Sequence, residues 1–239
     1  MRKDGRKDYE VRPVKFTLNY IDYVQSSVLI EIGKTKVICC ASCDEKVPSF
    51  LKDTDTGWIT AEYSLLPFSC KERVERESHK GKLEGRTREI ERTIGRVLRS
   101  VVNLRALGER RIIIDCDCLQ ADGGTRCASI TGGFCALYLA IKDLMKKNIL
   151  KTNPIQAFVS AISVGVVDGE ELIDLTYEED KRASCDLNLA MTDNGKIVEI
   201  QATAEGVPFS IDSLNRFIEL GKNGIERLIE HQKKILLND

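Results

Sequence analysis

The stretch that decides the fold is Leu119 to Gly133, LQADGGTRCASITGG. Upstream of it, ERRIIIDCDC is an apolar, β-branched run that reads as a strand. Downstream, FCALYLAIKDLM reads as a helix. Glycines at such a turn let backbone N–H groups approach a ligand with no Cβ in the way. The start of the following helix adds free N–H groups and a partial positive charge. Together these features suit an anion, phosphate above all. Thr125 adds a hydroxyl and Arg126 a bidentate donor fork. The stretch matches neither GxxxxGK[ST] nor GxGxxG. A tight turn with a helix cap uses the same residues, so both readings stand at this point.

Outward from the turn, the pattern organises the chain. Ile130, Phe134, Leu137, Ile141 and Leu144 form one apolar stripe, and Gly132 and Gly133 inside it imply close packing on a sheet. Ile90, Ile94, Val97 and Val101 form another stripe, on a helix ending around Leu104 to Gly108. Residues 11–65 read as β: VKFTL, SVLIEI, KVICCAS and GWITAEYSL, a meander of antiparallel strands. Residues 67–85 lose apolar periodicity and read as a charged loop or an exposed helix. The second half repeats the grammar. Hairpins are expected at Asp168-Gly169 and at Asp193-Asn194-Gly195. A helix follows over Ser210 to Leu237, broken near Gly221 to Gly224. The expected class is α+β, with internally duplicated β-α units and mixed sheets packed with helices, in one domain over residues 1–239.

Composition narrows the function. The 239 residues are 42% hydrophobic and 31% charged, with a formal net charge of −1. Any nucleic-acid role must then come from a local basic patch. The first ten residues, MRKDGRKDYE, contain no apolar core of a signal peptide. No uninterrupted apolar run approaches the roughly 18 residues of a membrane span. Nine cysteines, an odd number, read as free thiols in a reducing cytoplasm. Cys40 and Cys43 form a CxxC and Cys116 and Cys118 a CxC, which allows zinc. Their setting in apolar strands favours small hydrophobes instead.

Three further groups bear on chemistry. Arg86, in GRTREIERTIGR, sits at a helix start, on the unfavourable side of the helix dipole, which a bound anion would reverse. Solvent exposure is the plain alternative. In YEEDKRASCDLNL, Asp186 shares a strand face with Asn188, opposite Leu187, Leu189 and Met191, and Asp180 lies six residues earlier. Two carboxylates brought together need a counter-charge, and Mg²⁺ is usual beside phosphates. A solvated turn and a strand end explain them equally well. Between Lys71 and Arg99, ten Lys or Arg stand against six Glu. That excess suits a single-stranded backbone, or a salt-bridged solvated face. Trp58 and Tyr63 read as core.

Several stretches together resemble the ribonuclease PH family of phosphorolytic exoribonucleases, in its bacterial form. They are RKDGRKDYEVRPV, GWITAEYSLLP, GRTREIERTIGR, IDCDCLQADGGTRCASITGG and VEIQATAEG, in order from Arg2 to about Gln232. The related exosome ring subunits and polynucleotide phosphorylase are less similar. The resemblance implies the ribonuclease PH fold and a 3′→5′ exonuclease that trims the 3′ trailers of tRNA precursors with inorganic phosphate. It implies release of nucleoside diphosphates, a reverse reaction, Mg²⁺, and a homohexamer built as a trimer of dimers. It assigns phosphate binding to Arg86, Gly124, Thr125 and Arg126. It assigns Mg²⁺ and catalysis to Asp180 and Asp186; the departing 3′ oxygen needs a proton or a metal, and our reading gives that general-acid role to Asp186. It assigns RNA feeding to Arg73 and Arg76. Phe68 stands where the family often has a third arginine. A catalytically silent ring subunit would lack the anion turn or the acidic pair. A phosphate-binding small-molecule kinase would turn over ATP without RNA.

Overall fold

In the computed structural model, which describes residues 2–238, two sheets alternate with helices in four layers. The first sheet holds β1 (Val14–Leu18), β2 (Ser27–Ile32), β3 (Thr35–Asp44), β4 (Trp58–Leu65) and β5 (Arg111–Gln120), in the order β1-β2-β3-β5-β4. The second holds β6 (Val159–Val167), β7 (Glu170–Ile173), β8 (Cys185–Thr192) and β9 (Ile197–Ala204), in the order β7-β6-β8-β9. Between the sheets lies α4 (Thr125–Lys146), with α2 (Gly85–Ser100) beside it. The long α6 (Ile211–Leu237) covers the far face of the second sheet. Short helices α1 (Glu77–Lys80), α3 (Leu104–Leu107) and α5 (Tyr177–Asp180) fill connections.

Strand alternation builds the layers. In β6, Val159 and Ala161 join the core around α4, whereas Ile162 and Val164 join the core under α6. Both expected helix stripes are buried, from Ile90 to Val101 and from Ile130 to Leu144. A Cβ on Gly132 would lie 2.7 Å from Ile30 and 2.9 Å from Cys39 Sγ, so the close packing on the sheet is real. Both hairpins form at the expected turns, with Asp168, Gly169 and Gly195 at positive φ.

Four expectations change. The first three strands form an antiparallel meander, but β4 leaves it and pairs with β5 in parallel, at the sheet edge. The α2 segment is the crossover that a parallel pair requires. The α2 helix ends at Ser100, and Leu104–Leu107 is the separate α3. The last helix runs unbroken. There Gly221 and Gly224 admit Leu189 and Ile173, which a Cβ would meet at 2.8 and 2.3 Å. Finally, α4 taken as a whole is long and apolar enough to cross a membrane, although 83% of its apolar window is buried between the sheets.

Of the charged segment, only α1 and the last residue, Gly85, which opens α2, are helical. All nine cysteines are free. Cys39, Cys116 and Cys118 are core residues, while Cys40 and Cys43 differ in parity along β3 and face opposite ways.

Candidate active site

The β5–α4 turn is built to expose amides. Gly124 is the N-cap of α4 at φ +69°, and no side chain caps the helix. Gly123 also has a positive φ, +80°. The N–H groups of Gly123 and Gly124 donate to no group among the described residues. Thr125, the first helical residue, is buried. Its Oγ1 accepts a 2.9 Å hydrogen bond from the Tyr63 hydroxyl. Burial pushes the Tyr63 phenol up to about 12, the bond to Thr125 opposing, so it stays protonated as a donor. Tyr63 is core, as expected, but its hydroxyl is also part of the turn.

Arg126 points between the layers. Its Nη2 donates to Glu89 Oε2 of α2 and its Nη1 to Gln201 Oε1 of β9, both at 2.5 Å. Its Nε is buried without a protein partner. The guanidinium plane is thus fixed from two sides, and donors remain for a further anion.

The acidic pair comes from the second sheet. Asp186 and Asn188 share the β8 face that meets the start of α4, where Cys127 Sγ donates to Asn188 Oδ1 at 3.3 Å. Asp180 ends α5, whose capping box is formed by Thr176 and Glu179. Burial raises the Asp180 carboxyl above its ordinary range, with Arg86 and Arg126 pulling the other way. Burial likewise raises Asp186, reinforced by the charges of Asp180 and Glu205 and opposed by Arg126. Asp180 thus feels the charges of Arg86 and Arg126, and Asp186 those of Asp180 and Arg126, although 94 residues separate Arg86 from Asp180 in the chain.

The two loops that carry these groups touch. A Cβ on Gly123 would fall 2.3 Å from the Leu175 carbonyl oxygen and 2.7 Å from the Thr176 carbonyl carbon. Only glycine allows the turn to lie against the entry to α5.

The basic stretch divides. Lys71 pairs with Glu178, Lys80 with Glu84 and Arg96 with Glu199, as a solvated face would. The side chains of Arg73, Arg76 and Arg86 are exposed and make no hydrogen bond or ion pair among the described residues. Phe68 is 79% exposed on the same segment. The helix start at Arg86 does not lack an anion, contrary to expectation. Glu77 already brings a carboxylate to that helix start, accepting from Thr87 Oγ1 at 2.5 Å and from the Glu84 amide at 3.3 Å. What ties Arg86 to the acidic pair is its charge, which pulls the Asp180 carboxyl down against burial.

No group of three or more His, Cys, Asp and Glu side chains suited to a metal occurs among the described residues. The Asp180–Asp186 pair still fits a divalent ion of the Mg²⁺ type. It offers two mutually repelling carboxylates and leaves the other positions to water and phosphate oxygens.

An uncapped glycine turn followed by Arg126, electrostatically coupled to a carboxylate pair from the second sheet, suits a phosphate-bearing substrate. The chain belongs to the 3′ exoribonuclease family: residues 10–142 match its domain 1 and residues 157–224 its domain 2. It is 54% identical to ribonuclease PH of Bacillus subtilis over 238 residues, covering 99% of this chain and 97% of that one. Its fold is that of rice (Oryza sativa) Rrp46, with a TM-score of 0.79 at 19% identity over 98% of this chain and 100% of that one. It is also that of a chain in the Archaeoglobus fulgidus exosome with RNA bound to the active site. There the TM-score is 0.82 at 21% identity, over 96% of this chain and 92% of that one.

Proposed function

We propose that this chain is a phosphorolytic 3′→5′ exoribonuclease that trims 3′ extensions of tRNA precursors. It uses inorganic phosphate, releases nucleoside diphosphates, and runs backwards with those diphosphates. The observation that carries the reading is the meeting of the uncapped β5–α4 turn and Arg126 with Asp180 and Asp186, across the two sheets. That meeting also supports treating residues 1–239 as one functional domain.

Phosphate attacking a phosphodiester brings two anions together, so the site must first offset their repulsion. The amides of Gly124 and its neighbours, the Thr125 hydroxyl, Arg126 and Arg86 seat the attacking phosphate in line with the last phosphodiester. A seated phosphate takes the place of water as nucleophile, which selects phosphorolysis over hydrolysis. Asp186, with its carboxyl raised by burial and by Asp180, donates a proton to the departing 3′ oxygen. Asp180, and Asp186 once it has given up its proton, would hold Mg²⁺, which would supply charge neutralisation at the phosphates when bound. Arg73 and Arg76 guide the RNA backbone towards the turn, and Phe68 offers that path an aromatic face instead of a third cation.

Likeness to exosome chains supports a ring-forming homo-oligomer, and we take it as a hexamer, a trimer of dimers. The nine free cysteines suit the reducing cytoplasm. The test is a 3′-extended tRNA incubated with and without phosphate. Nucleoside diphosphates released only with phosphate are expected. Monophosphates released without phosphate would overturn the reading.

A further inference from the structure

Behind the β5–α4 turn lies a buried network of charges from residues 2–12. Arg12 is 5% exposed and Arg2 7%. Arg12 Nε and Nη2 donate to the two oxygens of Asp174, at 2.9 and 2.7 Å. Its Nη1 donates to the Asp122 carbonyl at 2.6 Å, and its Nη2 to the Gly123 carbonyl at 3.3 Å. Thr35 Oγ1 donates to the same Gly123 carbonyl at 2.7 Å. Arg2 grips both oxygens of Glu179, at 2.8 and 2.7 Å, and donates to the carbonyls of Ile173 and Asp174. Glu179 is the residue before Asp180.

Peptide geometry turns these bonds into a statement about aim. In a trans peptide the C=O and the N–H point in opposite directions. Arg12 draws the carbonyls of Asp122 and Gly123 back towards itself. The N–H groups of the same two peptide units, those of Gly123 and Gly124, must then face away from Arg12. They are the amides that donate to no protein group. A buried ion network is a poor means of stabilisation compared with apolar packing. A guanidinium that grips two successive carbonyls and a carboxylate has a different advantage, direction.

We infer that Arg12 and Arg2 are positioning residues for catalysis: Arg12 aims the phosphate-seating amides of Gly123 and Gly124, and Arg2, through Glu179, sets the place of Asp180. The inference rests on the reading of the turn as the phosphate seat and of Asp180 as part of the reaction centre. It assigns the two arginines different kinetic signatures. Loss of Arg12 disturbs the seat of phosphate. Loss of Arg2 disturbs the step that follows binding.

The experiment compares wild type, Arg12→Ala, Arg12→Lys, Arg2→Ala and Arg2→Lys on a 3′-extended tRNA, over a range of phosphate concentration. For the Arg12 variants a rise of tenfold or more in the phosphate KM is expected, with the RNA KM unchanged. For the Arg2 variants a tenfold or greater fall in kcat is expected, with the phosphate KM near that of wild type. Added guanidinium ion should lower the phosphate KM of Arg12→Ala again. A cavity of about 710 Å³ lined by Arg2, Arg6 and Arg12 gives that ion a way in. Should an alanine variant not fold, its lysine counterpart is read alone. Lysine keeps the charge and loses the fork. Lysine variants with wild-type kinetic constants, or variants at both positions that alter KM and kcat alike in step with thermal stability, would overturn the inference. Wild type that releases no diphosphate would instead sink the underlying reading of the site.

Discussion

The Tyr63 hydroxyl donates a 2.9 Å hydrogen bond to Thr125 Oγ1, joining the edge strand β4 to the first residue of α4. The bond exists because β4 runs parallel to β5, with Tyr63 opposite Cys116. Tyr63→Phe keeps the packed ring and removes only the donor. A net loss of about 1 kcal/mol is expected. Expressed at the phosphate seat, that is roughly a fivefold rise in the phosphate KM. Initial rates over a phosphate series, at saturating RNA, measure it. An unchanged KM would show that Thr125 is held without Tyr63.

Arg126 is fixed by Glu89 and Gln201 rather than by solvent, so its removal leaves a specific gap in the seat. Arg126→Ala is expected to reduce kcat/KM for phosphate by about 100- to 1,000-fold, the range for loss of one preorganised donor. RNA affinity, read by filter binding, should stay near wild type. Wild-type turnover at low phosphate would remove Arg126 from the seat.

Gly123→Ala and Gly124→Ala separate backbone strain from collision. Both positions have positive φ, and an L side chain there costs roughly 1–2 kcal/mol. At Gly124 the nearest atom to a new Cβ is Arg12 Nη2 at 3.3 Å. At Gly123 the Leu175 carbonyl oxygen would stand at 2.3 Å. Gly123→Ala should therefore lower the melting temperature more and lose more activity. Equal melting temperatures would contradict the contact between the two loops.

The acidic pair predicts an opposition between stability and activity. The folded-state carboxyl of Asp186 is raised above its unfolded value of 3.8. The folded protein then binds more protons than the unfolded chain between those two values. Stability falls as pH rises through that window and stays lower at neutral pH. Asp186→Asn removes the loss. It should melt higher than wild type at pH 7 in chelator, show no gain at a pH below 3.8, and have no exonuclease activity. Calorimetry at the two pH values checks the sign. A lower melting temperature at neutral pH would contradict it.

Arg73 and Arg76 are exposed cations on the segment between β4 and α2, which we propose to guide RNA. Replacing either with alanine should weaken RNA binding and reduce the slope of log affinity against log salt by about 0.7. Binding isotherms at several salt concentrations provide the slope. An unchanged slope would place that arginine away from the RNA backbone.

The legible parts of this molecule were the local ones. The stripes of α2 and α4 and the turns at Gly169 and Gly195 depend on neighbours a few residues away. The turn at Gly123 to Arg126 was visible because its chemistry is written in one short segment. The pairing of β4 was not, since strand choice is settled by how α2 crosses over, not by the strand's own residues. Gly221 and Gly224 misled for a related reason. Glycine weakens an isolated helix, but here it lets α6 approach Leu189 and Ile173. Glu89, Gln201, Arg2 and Arg12 went unread because their partners lie 37 to 177 residues away. Three arginines within Arg2 to Arg12 were the available signal, and nothing local says that they are buried.

The pairing of Arg2 with Glu179 spans 177 residues, and that of Arg12 with Asp174 spans 162. On the ribosome the arginines emerge long before either carboxylate. The first sheet and α4 can assemble while residues 2–12 still wait for their partners, because contacts between distant segments close last. Until those carboxylates arrive, the Gly123–Gly124 turn lacks the Asp174 half of its rear support and faces no Asp180. A half-made chain can thus bury a core, yet it holds no finished RNA-cutting centre. The enzyme becomes competent only after the segment from Asp174 to Gln201 has been translated and has folded back.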